Sequence, residues 1–381
     1  MVAISETQRV FVRYWLPVIT AGILALLIFV LVGDTPPVRA LALAGTVAGI
    51  AATLRRFGAL LAFSGGLVLG FSPAFWSQTG GGDNGTLATV ALLLAIAALA
   101  ATVAVWLAKR PGLGLAVGVL VFTLLFWSVV GTPRSLRITT LISAWTLFLL
   151  VDALLTAHPR PDGPPPAPLR SYQTMGLLLL LVVGVVNDPL FTLLAPALIV
   201  SLIVCRTALP RWYWAVVILT IVIGARGIAV QYLDSGWWLY PAEQAEALGI
   251  RVPYVMSDGW REASRWLVLT GLVLGQFTAG GLALGALGLA RLSRWYPPLG
   301  VITMIAYAGY ALFGLVYFGR DSAVLLLPLF MIQVFWMTYA VYSLGQWLQR
   351  SSQADSVVRW LAPAAFSLAP LLMLFRIFGL L

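Results

Sequence analysis

Gly70-Phe71-Ser72-Pro73-Ala74-Phe75-Trp76-Ser77-Gln78 leads straight into Thr79-Gly80-Gly81-Gly82-Asp83-Asn84-Gly85-Thr86-Leu87. One apolar segment enters this stretch and another leaves it. Between them stand a proline, two aromatic rings, a glycine run and one carboxylate. The same design recurs from end to end: apolar runs long enough to span a bilayer, joined by short polar junctions. Only helices or closed barrels satisfy their backbone groups in lipid, and runs of this length fit helices. The fold class is therefore all-α, a polytopic membrane helical bundle.

Composition agrees. The chain has 381 residues, of which 61% are hydrophobic and 9% charged. Soluble domains carry about 25% charged residues, so this chain has too few to cover a water-facing surface. The single cysteine, Cys205, excludes an internal disulfide and a cysteine-rich metal site. The single histidine, His158, excludes histidine-cluster zinc chemistry. The sequence names no cofactor and leaves metal dependence open. The net charge of +10 points to basic cytoplasmic loops rather than to nucleic acid. No cleavable signal peptide is expected, because the first 14 residues are polar and no small-residue cleavage site follows a short apolar core.

The apolar runs cover 15–32, 38–54, 57–70, 86–108, 113–130 and 136–155 in the first half. A proline-rich segment, 158–171, then divides an N-terminal half (1–157) from a C-terminal half (172–381). The second half has runs at 172–186, 190–205, 212–230, 265–289, 299–318, 323–348 and 357–378. That is about 13 transmembrane helices. The longest polar segment, 231–262, reads as an outer loop with a short surface helix that opens at Pro241 and closes at Gly249.

Charge tests this count. With a cytoplasmic N-terminus, the cytoplasmic loops hold Arg55-Arg56, Lys109-Arg110, Arg160 with Arg170, Arg206 with Arg211, Arg291 with Arg294, and Arg350 with Arg359. The opposite loops hold Asp34, Asp83, Asp188 and Arg320-Asp321, with Arg134 and Arg137 as the exception. This alternation is the positive-inside pattern of a multi-pass cell-membrane protein. It gathers the carboxylates of interest on the non-cytoplasmic face. The spans read as nearly free of charge and free of broken-helix pairs, which disfavours a transporter.

Several stretches resemble one family. Phe71-Ser72-Pro73-Ala74-Phe75-Trp76-Ser77-Gln78 is similar to the FSPxFWSQ signature of bacterial membrane proteins related to protein O-mannosyltransferases, members of the GT-C superfamily. Asp83 stands at the family's acidic position and Thr86-Leu87 follow as in the family. Asn187-Asp188, with the helix before it and Pro196 after it, resembles a helix pair with Asn-His at its turn. Gln276-Phe277 with the glycine-rich 281–289 resembles a late helix, and Arg320-Asp321-Ser322 resembles an aspartate-led final signature. The resemblance covers most of the chain from about Pro37 onward. One departure is large: the family's long first outer loop, which usually carries the catalytic carboxylate, is here only the turn Gly33-Asp34-Thr35-Pro36-Pro37.

The resemblance implies a GT-C-like fold and transfer of a sugar from a polyprenyl-phosphate donor to an acceptor outside the cytoplasm. Asp34 and Asp83 are the catalytic candidates: Asp34 as a general base, Asp83 orienting a sugar or a metal ion. Each has a plain alternative as a turn aspartate. Arg226, Asp234, Trp237, Trp238, Arg320 and Asp321 are the substrate-binding candidates. Arg320 or Arg226 would hold a lipid phosphate, and the aromatic rings would stack on sugar or belong to the interfacial belt. Phe75 and Trp76 read as belt residues. Asp321 otherwise caps the next helix. Asp83, Arg226, Asp234 and Arg320 are expected to share one outward pocket. A catalytically degenerate relative is the alternative, acting as a structural or lipid-binding subunit beside partner membrane subunits. Membrane lipids are partners in either case.

Overall fold

The computed structural model describes residues 11–80, 87–109, 111–130, 136–157, 169–205, 208–229, 258–317, 321–352 and 357–380. Among them there is no β-strand. The first half holds α1 (Leu16–Leu31), α2 (Pro37–Leu54), α3 (Ala59–Gly70), the short α4 (Pro73–Trp76), α5 (Leu87–Ala108), α6 (Pro111–Val130) and α7 (Leu136–Ala157). The second half holds α8 (Ser171–Asn187), α9 (Ala195–Val204), α10 (Arg211–Ile228), α11 (Ala263–Trp295), α12 (Pro297–Val316), the short α13 (Ser322–Leu325), α14 (Leu327–Ser352), α15 (Leu361–Phe366) and α16 (Ala369–Ile377). Proline opens many of them, at the position where a missing N–H costs nothing.

Among the described residues, seven segments are long and apolar enough to cross a membrane: Pro37–Phe57, Ile138–Ala157, Arg211–Ile228, Ala263–Trp295, Pro297–Val316, Leu327–Ser351 and Val358–Ile377. Five shorter apolar helices pack among them. Large apolar side chains stand fully outward, such as Leu31, Trp106, Leu107 and Leu267. Such a surface is stable only against lipid.

Burial sorts the helices. The α14 segment is 83% buried, while the last segment, Val358–Ile377, is 17% buried. So α14 is the central post. It packs on α11 and α12 from its own half and on α2, α3 and α7 from the other, so both halves share one core. The α11–α14 contact depends on glycine. A Cβ at Gly288 would run into the Trp336 carbonyl, and one at Gly285 into the Gln333 side chain. Gln333 Nε2–H in turn donates to the Gly281 carbonyl at 3.0 Å.

One end of the bundle is locked by charge. Asp152 Oδ1 accepts from Arg55 at 2.9 Å and Arg56 at 2.8 Å, and its Oδ2 accepts from Gln173 Nε2 at 3.1 Å. The Arg55 guanidinium also lies over the Trp15 and Phe148 rings. This joins the ends of α1, α2, α7 and α8.

The sequence expectation for helix positions holds, with three refinements. The 190–205 run is a 3-10 turn, Pro189–Leu194, followed by α9. The 357–378 run bends between α15 and α16, where Pro370 lacks the N–H that would bond back across the break. The run over 265–289 extends to Trp295 and is broken inside, as described next. The proline-rich segment 158–168, the surface helix expected after Pro241 and the greater part of the 231–262 loop lie outside the described residues.

Candidate functional site

The quoted signature stretch folds as a helix that stops and restarts. α3 ends at Gly70, Phe71 and Ser72 turn, and α4 restarts at Pro73. A four-residue helix has no room to satisfy its own first N–H groups. The Ala74 N–H is therefore satisfied from outside: Gln276 Oε1 on α11 accepts it at 2.7 Å, in a buried contact. Phe75 is fully buried, with its ring 5.9 Å from Phe29. It is a core residue, which corrects the reading of it as an interfacial belt ring. The half-buried Trp76 lies 6.0 Å from Phe29 and 6.2 Å from Phe378.

Two residues beyond Gln276, α11 breaks. Thr278 takes φ 62° and ψ 177°, outside helical geometry and strained for a β-branched residue. The two interrupted helices, α3–α4 and α11, thus meet through one side chain. This corrects the expectation that the chain holds no pair of broken helices.

A lateral groove of about 670 Å³ opens beside the break. Its walls are the second part of α11, α14 and the α15–α16 bend. Gln276, Thr278 and Arg376 are its polar residues; Phe277, Leu284, Met337, Val341, Leu344, Phe366 and Met373 line the apolar part. Arg376 is two residues from Phe378, whose ring meets Trp76, and so lies at the same end as Trp76. The groove is therefore amphipathic lengthwise: cation, amide and broken backbone near the signature stretch, hydrocarbon away from it.

The first turn docks on the same stretch. The Gly80 N–H donates to Thr35 Oγ1 at 3.0 Å, and Arg39 Nη1 donates to the Gly80 carbonyl at 3.2 Å. Asp34 occupies the left-handed region at φ 44°, which aspartate tolerates, and is exposed. The shortened first loop is thus held against Gly80. Asp83 follows three residues later, outside the described residues.

A second polar node lies where α8 ends. Asn187 Nδ2–H donates to Thr139 Oγ1 at 2.6 Å, and Asp188 Oδ1 accepts from the Leu190 N–H at 3.0 Å, capping the 3-10 turn. Asp188 is 1% exposed. The sequence places it in an outer loop; the structure buries it, because the turn folds back against α10 and α12. Arg226, a candidate for holding a lipid phosphate, is exposed in the last turn of α10. Gly224, just before it, lets α10 press against Thr192 and Val185, so Arg226 belongs to the Asp188 end.

Arg265 is a buried arginine. Its Nε donates to the Leu315 carbonyl at 3.0 Å, and its Nη2 to the Gly314 carbonyl at 2.8 Å and the Tyr317 carbonyl at 2.6 Å. It covers the orphan carbonyls at the end of α12. Asp321 is exposed and does not cap α13 through its side chain. Its Oδ1 accepts from the Tyr317 hydroxyl at 2.6 Å.

Of the sequence candidates, then, Asp34 is exposed in the turn whose Thr35 bonds Gly80, Arg226 lies at the Asp188 end of α10, and Asp321 pairs with Tyr317. Asp83, Asp234, Trp237, Trp238 and Arg320 lie outside the described residues, as does most of the expected common pocket. Sequence reasoning missed Gln276, Thr278, Asp188 and Arg376 as site residues. Gln276 and Asp188 carried a signal, being polar inside or next to apolar runs. No three His, Cys, Asp or Glu residues come together to hold a metal among the described residues. No family model, curated protein or solved structure matches the chain.

Proposed function

We propose that this is a GT-C-like integral membrane protein of about 13 spans that takes a polyprenyl-phosphate lipid into the groove beside the broken α11. The groove carries this reading. Its volume lies within the roughly 300–1,000 Å³ of small-molecule sites. Its long apolar wall suits an isoprenoid chain, and Arg376 near the signature stretch suits a phosphate. The gathering of Arg55, Arg56, Asp152 and Gln173 at one end of the bundle supports a cytoplasmic N-terminus in a cell membrane, with the lipid phosphate toward the outer face. Native mass spectrometry with undecaprenyl phosphate tests the reading. One lipid should bind, Arg376→Ala should weaken it at least tenfold, and chain-length-matched neutral polyprenol should bind like the Arg376→Ala variant does. Equal binding of phosphate and alcohol by the wild-type protein would refute it.

The lipid then serves as sugar donor, with Asp34 as the base that deprotonates the acceptor. The support is the docking of the Asp34 turn on Gly80, which holds an exposed carboxylate beside the signature stretch that Gln276 ties to the groove. Asp34→Asn should abolish sugar transfer and leave lipid binding intact. If transfer is absent from the wild-type protein while binding persists, the protein is the lipid-binding subunit of a larger membrane assembly.

A transport reading has one observation in its favour, the meeting of two interrupted helices at Gln276 and Ala74. It requires flux of the bound molecule across proteoliposomes, which the donor-lipid reading does not.

A further inference from the structure

Serine and threonine inside a helix usually return their hydroxyl to the carbonyl one turn back. Thr46, Thr53, Thr303 and Thr338 all do so, at 2.8–2.9 Å. Ser143 and Thr146 on α7 do not. Both hydroxyl oxygens are fully buried and have no hydrogen-bond partner in the protein.

Both side chains line the same small cavity, where α7, α12 and α14 meet. Its volume is about 10 Å³, the space of one water. Thr303 lines the third side. Its Oγ1 accepts from Trp336 Nε1–H at 3.0 Å and keeps a second lone pair. A water here accepts from Ser143 and Thr146 and donates to Thr303. Those three bonds are the usual number for a buried water.

Tyr310 lies one helical turn beyond Ala306, a cavity residue. Its hydroxyl is also buried without a protein partner. Three such hydroxyls on two neighbouring helices are unusual in a packed interior.

We propose that the bundle core binds an ordered water between Ser143, Thr146 and Thr303. The water satisfies two hydroxyls that the protein leaves unpaired in an otherwise apolar interior. It also accounts for hydroxyl residues at α7 positions 143 and 146, which face other helices rather than lipid.

Hydroxyl-radical footprinting by synchrotron pulse tests this in the full-length protein in detergent. Radicals born from bound water oxidise the nearest side chains. Met331 lines the cavity and is 1% exposed, so it reports on water that bulk solvent cannot supply. Met304, 46% exposed, calibrates the dose. The expected result is prompt oxidation of Met331 in the wild-type protein, lost in the Ser143→Ala/Thr146→Val double variant, with Met304 unchanged. Thr146→Ser should retain it. No Met331 oxidation in the wild type, or equal oxidation in the double variant, overturns the proposal. If the double variant fails to fold, Thr146→Val alone and the wild-type signal decide between the same two outcomes.

Discussion

Gln276 Oε1 accepts the Ala74 backbone N–H at 2.7 Å, joining two residues 202 positions apart in the chain. This one bond ties the restart of the signature helix to the break in α11. It also fixes the polar end of the groove, because Gln276 is part of the groove wall.

Gln276→Leu should therefore cost about 1–3 kcal/mol, the penalty for leaving a buried N–H unsatisfied. Gln276→Glu keeps an acceptor and should cost less. Thermal unfolding in detergent, monitored by tryptophan fluorescence, gives both values. Equal stability of the Leu variant and wild type would mean that Ala74 finds another partner.

Asp152→Asn should be the most damaging conservative change at the opposite end. It leaves two guanidiniums, Arg55 and Arg56, without their shared counter-charge. Breaking a buried pair costs about 3–5 kcal/mol. Arg56→Ala should cost under about 1 kcal/mol, since that side chain is 36% exposed against 14% for Arg55. Denaturant titration of the three proteins ranks them.

Arg265→Lys should destabilise the end of α12 although charge is conserved. The planar fork reaches the Gly314, Leu315 and Tyr317 carbonyls together, and an ammonium cannot reproduce that geometry. The expected loss is about 1.5–3 kcal/mol. Hydrogen exchange should quicken at residues after Gly314 and stay unchanged in α2.

Gly288→Val should separate α11 from α14, because the Trp336 carbonyl occupies the space a side chain would need. Overpacking of this kind costs about 1–3 kcal/mol. Gly271→Ala is the control, with nothing within 4 Å of its would-be Cβ. It should leave stability unchanged or slightly raised.

Much of the fold was legible in the sequence, and for a simple reason. In lipid, hydropathy and helix length are the same signal, so the runs at 38–54 and 136–155 became α2 and α7 almost to the residue. The site was less so. Phe277-Thr278-Ala279 has no proline or glycine, so no local feature announces the break at Thr278. It sits two residues from a side chain committed to a distant backbone N–H, which is a tertiary fact. Asp188 looked like an outer-loop charge because a turn between apolar runs normally faces water. Here the 3-10 turn that Asp188 caps folds back against α10 and α12 and buries it. Phe75 carried the composition of a belt residue and was claimed by the core through Phe29.

In the proposed function the groove beside Thr278 holds a polyprenyl-phosphate chain. Photo-crosslinking in bilayers with a polyprenyl phosphate carrying a diazirine along its chain tests this, with peptide mapping of the adducts. Adducts are expected at Leu284, Met337, Val341 and Phe366, competed away by unlabelled lipid phosphate and reduced in Arg376→Ala. Adducts spread over lipid-facing residues such as Leu219 and Leu267, with none enriched in the groove and no competition, would contradict it.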